Sequence, residues 1–154
     1  MILIEDTRQK KDKHKNIKTY CDSQGIAIYP LTLTVGDYML GEIVCGKVTP
    51  IGSISCDTKY GLIELAQDLS RDERSLDKKY RKCFEEKIKL VVLVEEEITS
   101  IYDIAKWQNP HGLVSGRKLL DKMNRLTMMF GIRFMFCKKQ DTGKTIIKIL
   151  KGEI

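Results

Sequence analysis

The run Lys89-Leu-Val-Val-Leu-Val94 constrains this chain more than any other segment. After the lysine, five residues in succession are apolar and three of them are β-branched. A strand turns successive side chains to opposite faces, so a run that is apolar at every position needs cover on both sides. That condition is met inside a sheet with helices packed against each face, the α/β arrangement. The rest of the chain must therefore supply further strands and two helical layers.

It offers both. Met1–Ile4 is a short apolar start that reads as a buried strand. The basic stretch Lys10–Lys18 leads into a helix ending near Gln24, with Gly25 where a helix stop is expected. Ile26–Leu33 reads as a strand with Pro30 at an edge or bend. Gly36–Leu40 is a strand after a turn, Gly41–Pro50 a hairpin or loop, and Ser53–Lys59 a further strand. From Leu62 the period changes. Leu62, Ile63, Leu65, Ala66 and Leu69 share one helical face, and Asp72–Lys87 is a charged helix with Leu76, Tyr80, Cys83 and Phe84 as its apolar stripe. Ser100–Trp107 is a short helix. Gly116–Phe130 is amphipathic, burying Leu119, Leu120, Met123, Leu126 and Met129. Ile132–Cys137 is a strand and Thr142–Leu150 a final helix. Without repeats or a compositional break, residues 1–154 read as one α/β domain with a mixed central sheet flanked by helices.

Composition supports a packed core: 42% of the 154 residues are hydrophobic and 31% are charged, which excludes wholesale disorder and collagen-like repeats. The longest apolar run, Ile88–Val94, is interrupted by Lys89 and far short of the ~20 residues that span a membrane. At the N-terminus the apolar residues precede the charges, the reverse of a secretory signal, so the expected location is the cytoplasm. The five cysteines, Cys21, Cys45, Cys56, Cys83 and Cys137, are odd in number and form no C-x-x-C pair. That speaks against a disulfide framework or zinc ribbon, and reduced, mostly buried thiols are expected. The net charge of +6 fits a polyanionic partner but is common among small soluble domains.

Two short pieces carry the chemistry: Gly36-Asp37 on one strand and Asp57-Thr58-Lys59 on another. Residues two apart share a strand face, so Asp57 and Lys59 project together while Cys56 and Thr58 turn the other way. Two carboxylates and a lysine set in apolar sequence are costly unless partnered. A hard cation such as Mg²⁺ relieves the repulsion and takes oxygen ligands while keeping waters. That set suits phosphodiester hydrolysis, in which the metal polarises a phosphate oxygen and the lysine steadies the attacking water or the developing charge. A plainer reading is also open: Asp37 capping a turn, and Asp57–Lys59 as a surface pair.

The wider context is more specific. Ile2–Gln9 (ILIEDTRQ), Leu31–Leu40 (LTLTVGDYML), Ile54–Lys59 (ISCDTK) and Lys89–Glu95 (KLVVLVE) follow one another in the order of the XPF-type structure-specific nuclease domain. That string resembles the family's D-x-R-E, L-x-V-G-D-Y, E-R-K-x-x-x-D and VLLIE segments, a branch of the PD-(D/E)xK superfamily. The match runs from Met1 to about Glu97. GRKLLDKMNRL and GIRFMFC look like the closing helix and strand, as in small stand-alone versions from bacteria and phages. The resemblance implies a restriction-endonuclease-like fold and DNA cleavage dependent on Mg²⁺, with Mn²⁺ as an alternative. It implies Asp37 and Asp57 as metal ligands and Lys59 as the catalytic lysine, with Asp6 near the metal site and Arg8 on phosphate.

Three departures accompany it. Thr58 stands where the family has arginine. Gln9 replaces a glutamate. Ile63 occupies the place of the aspartate four residues after the lysine, with Glu64 one position later as the candidate substitute. The family's tandem helix-hairpin-helix domain has no counterpart in these residues. The expected partner is DNA, branched or partly single-stranded, with pairing to a second copy through the nuclease domain. Two rivals stay open: a non-catalytic DNA-binding or scaffold module that keeps the fold, and a Holliday-junction resolvase.

Other features are weighed in the same way. Lys78, Lys79, Arg81 and Lys82 could track a DNA backbone or form a solvated face, and the Lys10–Lys18 cluster poses the same choice. Thr142-Gly143-Lys144-Thr145 lacks the earlier glycine of a phosphate-binding loop, since Lys138 stands there. Gly143 is then part of a helix start. His14 and His111 read as surface residues, and Trp107 as packing.

Overall fold

The computed structural model describes residues 1–9, 15–112 and 114–154. His14 and the Lys10–Lys13 part of the basic cluster lie outside the described residues. Six strands form one mixed sheet: β1 (Ile2–Asp6), β2 (Ile28–Leu31), β3 (Tyr38–Val44), β4 (Lys47–Lys59), β5 (Lys89–Glu95) and β6 (Arg133–Cys137), in the order β2-β1-β3-β4-β5-β6. β3 runs antiparallel to both β1 and β4, while β1–β2, β4–β5 and β5–β6 are parallel. The helices are α1 (Lys15–Ser23), α2 (Leu62–Leu69), α3 (Glu73–Glu85), α4 (Gly116–Phe130) and α5 (Thr142–Leu150).

β5 is covered on both faces, as its composition requires. Leu90, Val92 and Val94 join the core under α2, α3 and α4, with Leu65, Leu69, Leu76, Tyr80, Leu119 and Met123. Val91 and Leu93 face the other way, against Ile17 and Cys21 of α1 and Ile146, Ile147 and Leu150 of α5. Because β4 pairs in parallel with β5, Asp57 lies beside Val92 and Lys59 beside Val94. The register therefore delivers both charged side chains to the α2–α3 layer.

Several expectations are met closely: α4 and α5 have the expected bounds, Pro30 is on an edge strand, and Trp107 packs against the core. The segment Ser100–Trp107 forms a 3-10 helix over Ile101–Lys106. Gly143 lies in the first turn of α5, where a Cβ would come within 2.7 Å of Tyr20 Cβ, so its smallness serves helix packing. His111 is exposed.

Of the two readings open for Gly41–Pro50, the hairpin is the one that forms: β3 and β4 continue as a ladder through Val44 and Lys47, closed by Cys45 and Gly46, both at positive φ. Such a two-residue turn matches the twist of a hairpin. This ribbon projects past its neighbours, since β1 pairs no further than Gly41 and β5 pairs with β4 only from Ile54 onward. Cys45 at its tip is therefore exposed, unlike buried Cys21, Cys56 and Cys83. Two expectations are corrected: Phe84 and Met129, read as part of apolar helix faces, are exposed at 69% and 49%. Both stand in the last turn of their helices, α3 and α4. Among the described residues, no helix is long and apolar enough to cross a membrane.

Candidate active site

Gly36 sets the entry to β3. Its φ of 77° lies in the left-handed region, and a Cβ there would stand 2.1 Å from Ser55 Oγ. The tight turn lets Asp37 N donate to Cys56 O at 2.8 Å, which continues the β3–β4 ladder by one step. Asp37 is thereby brought alongside Asp57. Its Oδ2 accepts from the Thr58 amide at 2.8 Å and the Thr58 hydroxyl at 2.7 Å. Thr58, which appeared as a lost charged contact, instead orients the first carboxylate with two donors.

Asp57 and Lys59 are 6% and 7% exposed. Lys59 Nζ lies 3.0 Å from Asp57 Oδ1 and 2.9 Å from Asp68 Oδ2, and Lys79 Nζ reaches the same Asp68 oxygen at 3.1 Å. Burial drives the Asp57 carboxyl up to about 6, Lys59 opposes that rise, and the charge of Asp37 adds to it. Burial would lower Lys59, but Asp57 and Asp68 outweigh it and keep the ammonium protonated. Asp68 is partly buried, yet Lys59 and Lys79 hold it down to about 2. A surface ion pair is thus excluded for Asp57–Lys59. Asp68 and its tie to Lys59 were not legible in the sequence, because they arise where α2 and α3 pack over the end of β4.

Asp6 and Arg8 form the opposite lip. Asp6 Oδ1 accepts from Arg8 N and Nε, each at 2.8 Å; Oδ2 accepts from Arg8 Nη2 at 2.7 Å and Leu33 N at 2.8 Å. Burial would raise this carboxyl, but the Arg8 and Leu33 donors hold it below its ordinary value. Those contacts hold Arg8 in place, with its side chain 64% exposed. Glu64 Oε2 accepts from the Tyr60 amide at 2.7 Å, beside Lys59.

These groups line one cleft of about 1160 Å³, together with Arg71, Lys78, Lys79 and Lys82. The four cations proposed on α3 do not all meet the cleft. Lys78 and Lys82 are exposed on the cleft wall, and Lys79 is tied to Asp68. Arg81 does not line the cleft but borders a second depression with Glu73, Arg74 and Asp77, and Lys78 and Lys82 line both. Arg71, in the turn between α2 and α3, is an additional exposed cation on the wall. Among the described residues, no three His, Cys, Asp or Glu side chains converge as a metal cage. Asp37 and Asp57 are a carboxylate pair, which suffices for an ion that keeps several waters.

No protein-family model matches the chain, and no curated protein matches it in sequence. Among solved structures, XPF from Aeropyrum pernix is similar, with a TM-score of 0.65 and 21% identity over 97% of this chain. The alignment covers 64% of that chain. The architecture is accordingly an XPF-like, restriction-endonuclease-like α/β fold.

Replacing Gly36 by alanine should cost about 2–5 kcal/mol, combining left-handed backbone strain with a clash in a packed site. A denaturant unfolding curve checks this, and an unchanged midpoint would refute the role given to the turn.

The shifted carboxyls also predict a pH profile in the absence of divalent cations. Asp68 binds its proton less tightly when folded, so its stabilising contribution is complete above pH 3.8 and lost as the pH falls toward 2. Asp57 binds its proton more tightly when folded, so its contribution is present below pH 3.8 and lost as the pH rises through about 6. Urea unfolding of Asp57→Asn should lack this wild-type decline between pH 4 and 7. An identical decline in the variant would show that Asp57 is not the group responsible.

Proposed function

We propose that this chain is a divalent-cation-dependent endonuclease that hydrolyses DNA phosphodiester bonds. The observation that carries this reading is the meeting of Asp37, Asp57 and Lys59 in a cleft bordered by cations. Burial chiefly raises the Asp57 carboxyl and the Asp37 charge beside it adds to the rise, so a positive charge seated between the two would be favourable. Asp37 and Asp57 would hold Mg²⁺, with Mn²⁺ able to replace it. The ion, when bound, supplies Lewis acidity to a phosphate oxygen and acidifies a bound water.

The chain's own residues do the rest. Thr58 fixes the Asp37 carboxylate. Lys59 is held charged and donates toward the attacking water, offsetting negative charge as it builds on the phosphate. Arg8, braced by Asp6, contacts a backbone phosphate from one lip, and Lys78, Lys82 and Arg71 do so from the other. Glu64 supports the site through the Tyr60 amide adjoining Lys59.

Phosphate contacts give affinity without reading bases. The cleft presents charged side chains chiefly suited to such contacts, so discrimination must come from DNA shape. We therefore assign branched or partly single-stranded DNA as the preferred substrate. A second copy of the chain would double the contacts and fix the angle between two duplex arms. Exposed Met128 and Met129 near the end of α4 give such pairing an apolar surface.

Labelled linear, flap, fork and four-way DNA of matched sequence tests this at ~100 mM salt, where exposed charges more than about 10 Å apart are screened. The expected result is cleavage that requires Mg²⁺, faster on fork or flap than on linear duplex, with no sequence consensus. Binding without cleavage under all conditions would favour the scaffold reading. Cutting confined to four-way junctions would favour a resolvase, and equal rates on fork and duplex would remove the shape preference.

A further inference from the structure

We infer that Asp68 is a positioning residue for Lys59, the anchor that keeps this ammonium in place once a cation has taken Asp57. The inference rests on the nuclease reading and deepens it. An ammonium has three N–H donors. In Lys59 two are engaged, one by Asp57 and one by Asp68, at nearly equal distances of 3.0 and 2.9 Å. Among the described residues the third has no protein acceptor, and Lys59 lines the cleft.

The two carboxylates are not equivalent. Asp57 stands beside Asp37 and is the one a divalent cation would claim. Asp68 comes from α2 and already shares its Oδ2 with Lys79. A cation on Asp57 competes with Lys59 for that carboxylate and repels the ammonium. Without a second anchor, Lys59 would lose its fixed place as the site becomes ready to react. Asp68 supplies that anchor from a separate element.

Lys79 completes the device. With two ammonium partners, Asp68 is charge-compensated and carries no surplus negative charge to draw the cation off the Asp37–Asp57 pair. The Lys79 ammonium lies 5.2 Å from the Tyr80 ring centroid, against which it is steadied. The result is a chain of four alternating charges, Asp57–Lys59–Asp68–Lys79, running from the floor of the cleft to its wall.

Two measurements on the full chain test this. In steady-state cleavage of forked DNA, Asp68→Asn should lower kcat about 10- to 100-fold with KM changed less than about 2-fold, as expected when a catalytic group is misplaced but binding persists. Asp68→Glu should recover most of that loss. In the DNA-free protein, the Lys59 ammonium resonance, assigned with Lys59→Met, should persist in wild type on adding Mg²⁺ and disappear in Asp68→Asn under the same conditions. Wild-type kcat in Asp68→Asn beside an inactive Asp57→Asn overturns the anchor and leaves the nuclease reading standing. Full activity in Asp57→Asn overturns the nuclease reading and the anchor with it. If Asp68→Asn does not fold, the wild-type spectrum decides alone: loss of the Lys59 resonance on adding Mg²⁺ overturns the inference.

Discussion

Two carboxylates brought side by side on neighbouring strands are the constraint on which the rest of this molecule turns. Asp37 and Asp57 adjoin because the β3–β4 ladder extends one step past Tyr38 and Cys56. Like charges so placed repel, and burial of Asp57 strengthens the effect. The surroundings answer that repulsion. Thr58 directs two donors at Asp37, Lys59 lies against Asp57, and Asp68 steadies Lys59. A buried arrangement of this kind is a poor source of stability, since an apolar set of similar volume would avoid the desolvation cost. Its sense lies in what it can bind and activate.

The sheet explains why these side chains can be held so closely. β4 is braced on one side by antiparallel β3 and on the other by β5, whose own side chains are buried on both faces. Catalytic groups on strands of a packed core keep tighter geometry than groups on loops. The cations that would meet DNA are placed differently. Arg8 follows β1, Arg71 precedes α3, and Lys78 and Lys82 ride on the exposed face of α3. Rigid floor and adaptable rim match a division between chemistry and backbone capture.

Much of this was legible in the residues themselves, and the reasons are local. KLVVLV announces a doubly covered strand, and the 3.6-residue period from Leu119 to Leu126 announces α4. The G-D and D-x-K pieces mark the floor of the cleft because strand alternation alone aligns Asp57 with Lys59. What escaped is tertiary. The β3–β4 ribbon beyond Gly41 is held by ladder hydrogen bonds with little burial, so its Gly- and Pro-containing sequence left hairpin and loop both open. Phe84 and Met129 keep the apolar period of α3 and α4, yet tertiary packing leaves both exposed in the last turn. Asp68 lies at the edge of an apolar helix face and carries no mark of its partner nine residues earlier. Arg81 shares a basic run with Lys82, but their neighbouring positions are about 100° apart around a helix, and only Lys82 faces the cleft.

The central claim is that Asp37 and Asp57 together form a cation seat. Binding of Mn²⁺ to the DNA-free protein, followed by electron paramagnetic resonance at neutral pH, measures that seat without reference to turnover. The account predicts bound Mn²⁺ in wild type that Mg²⁺ displaces, and loss of that binding in folded Asp37→Asn and Asp57→Asn. Equal binding by wild type and both variants would contradict it.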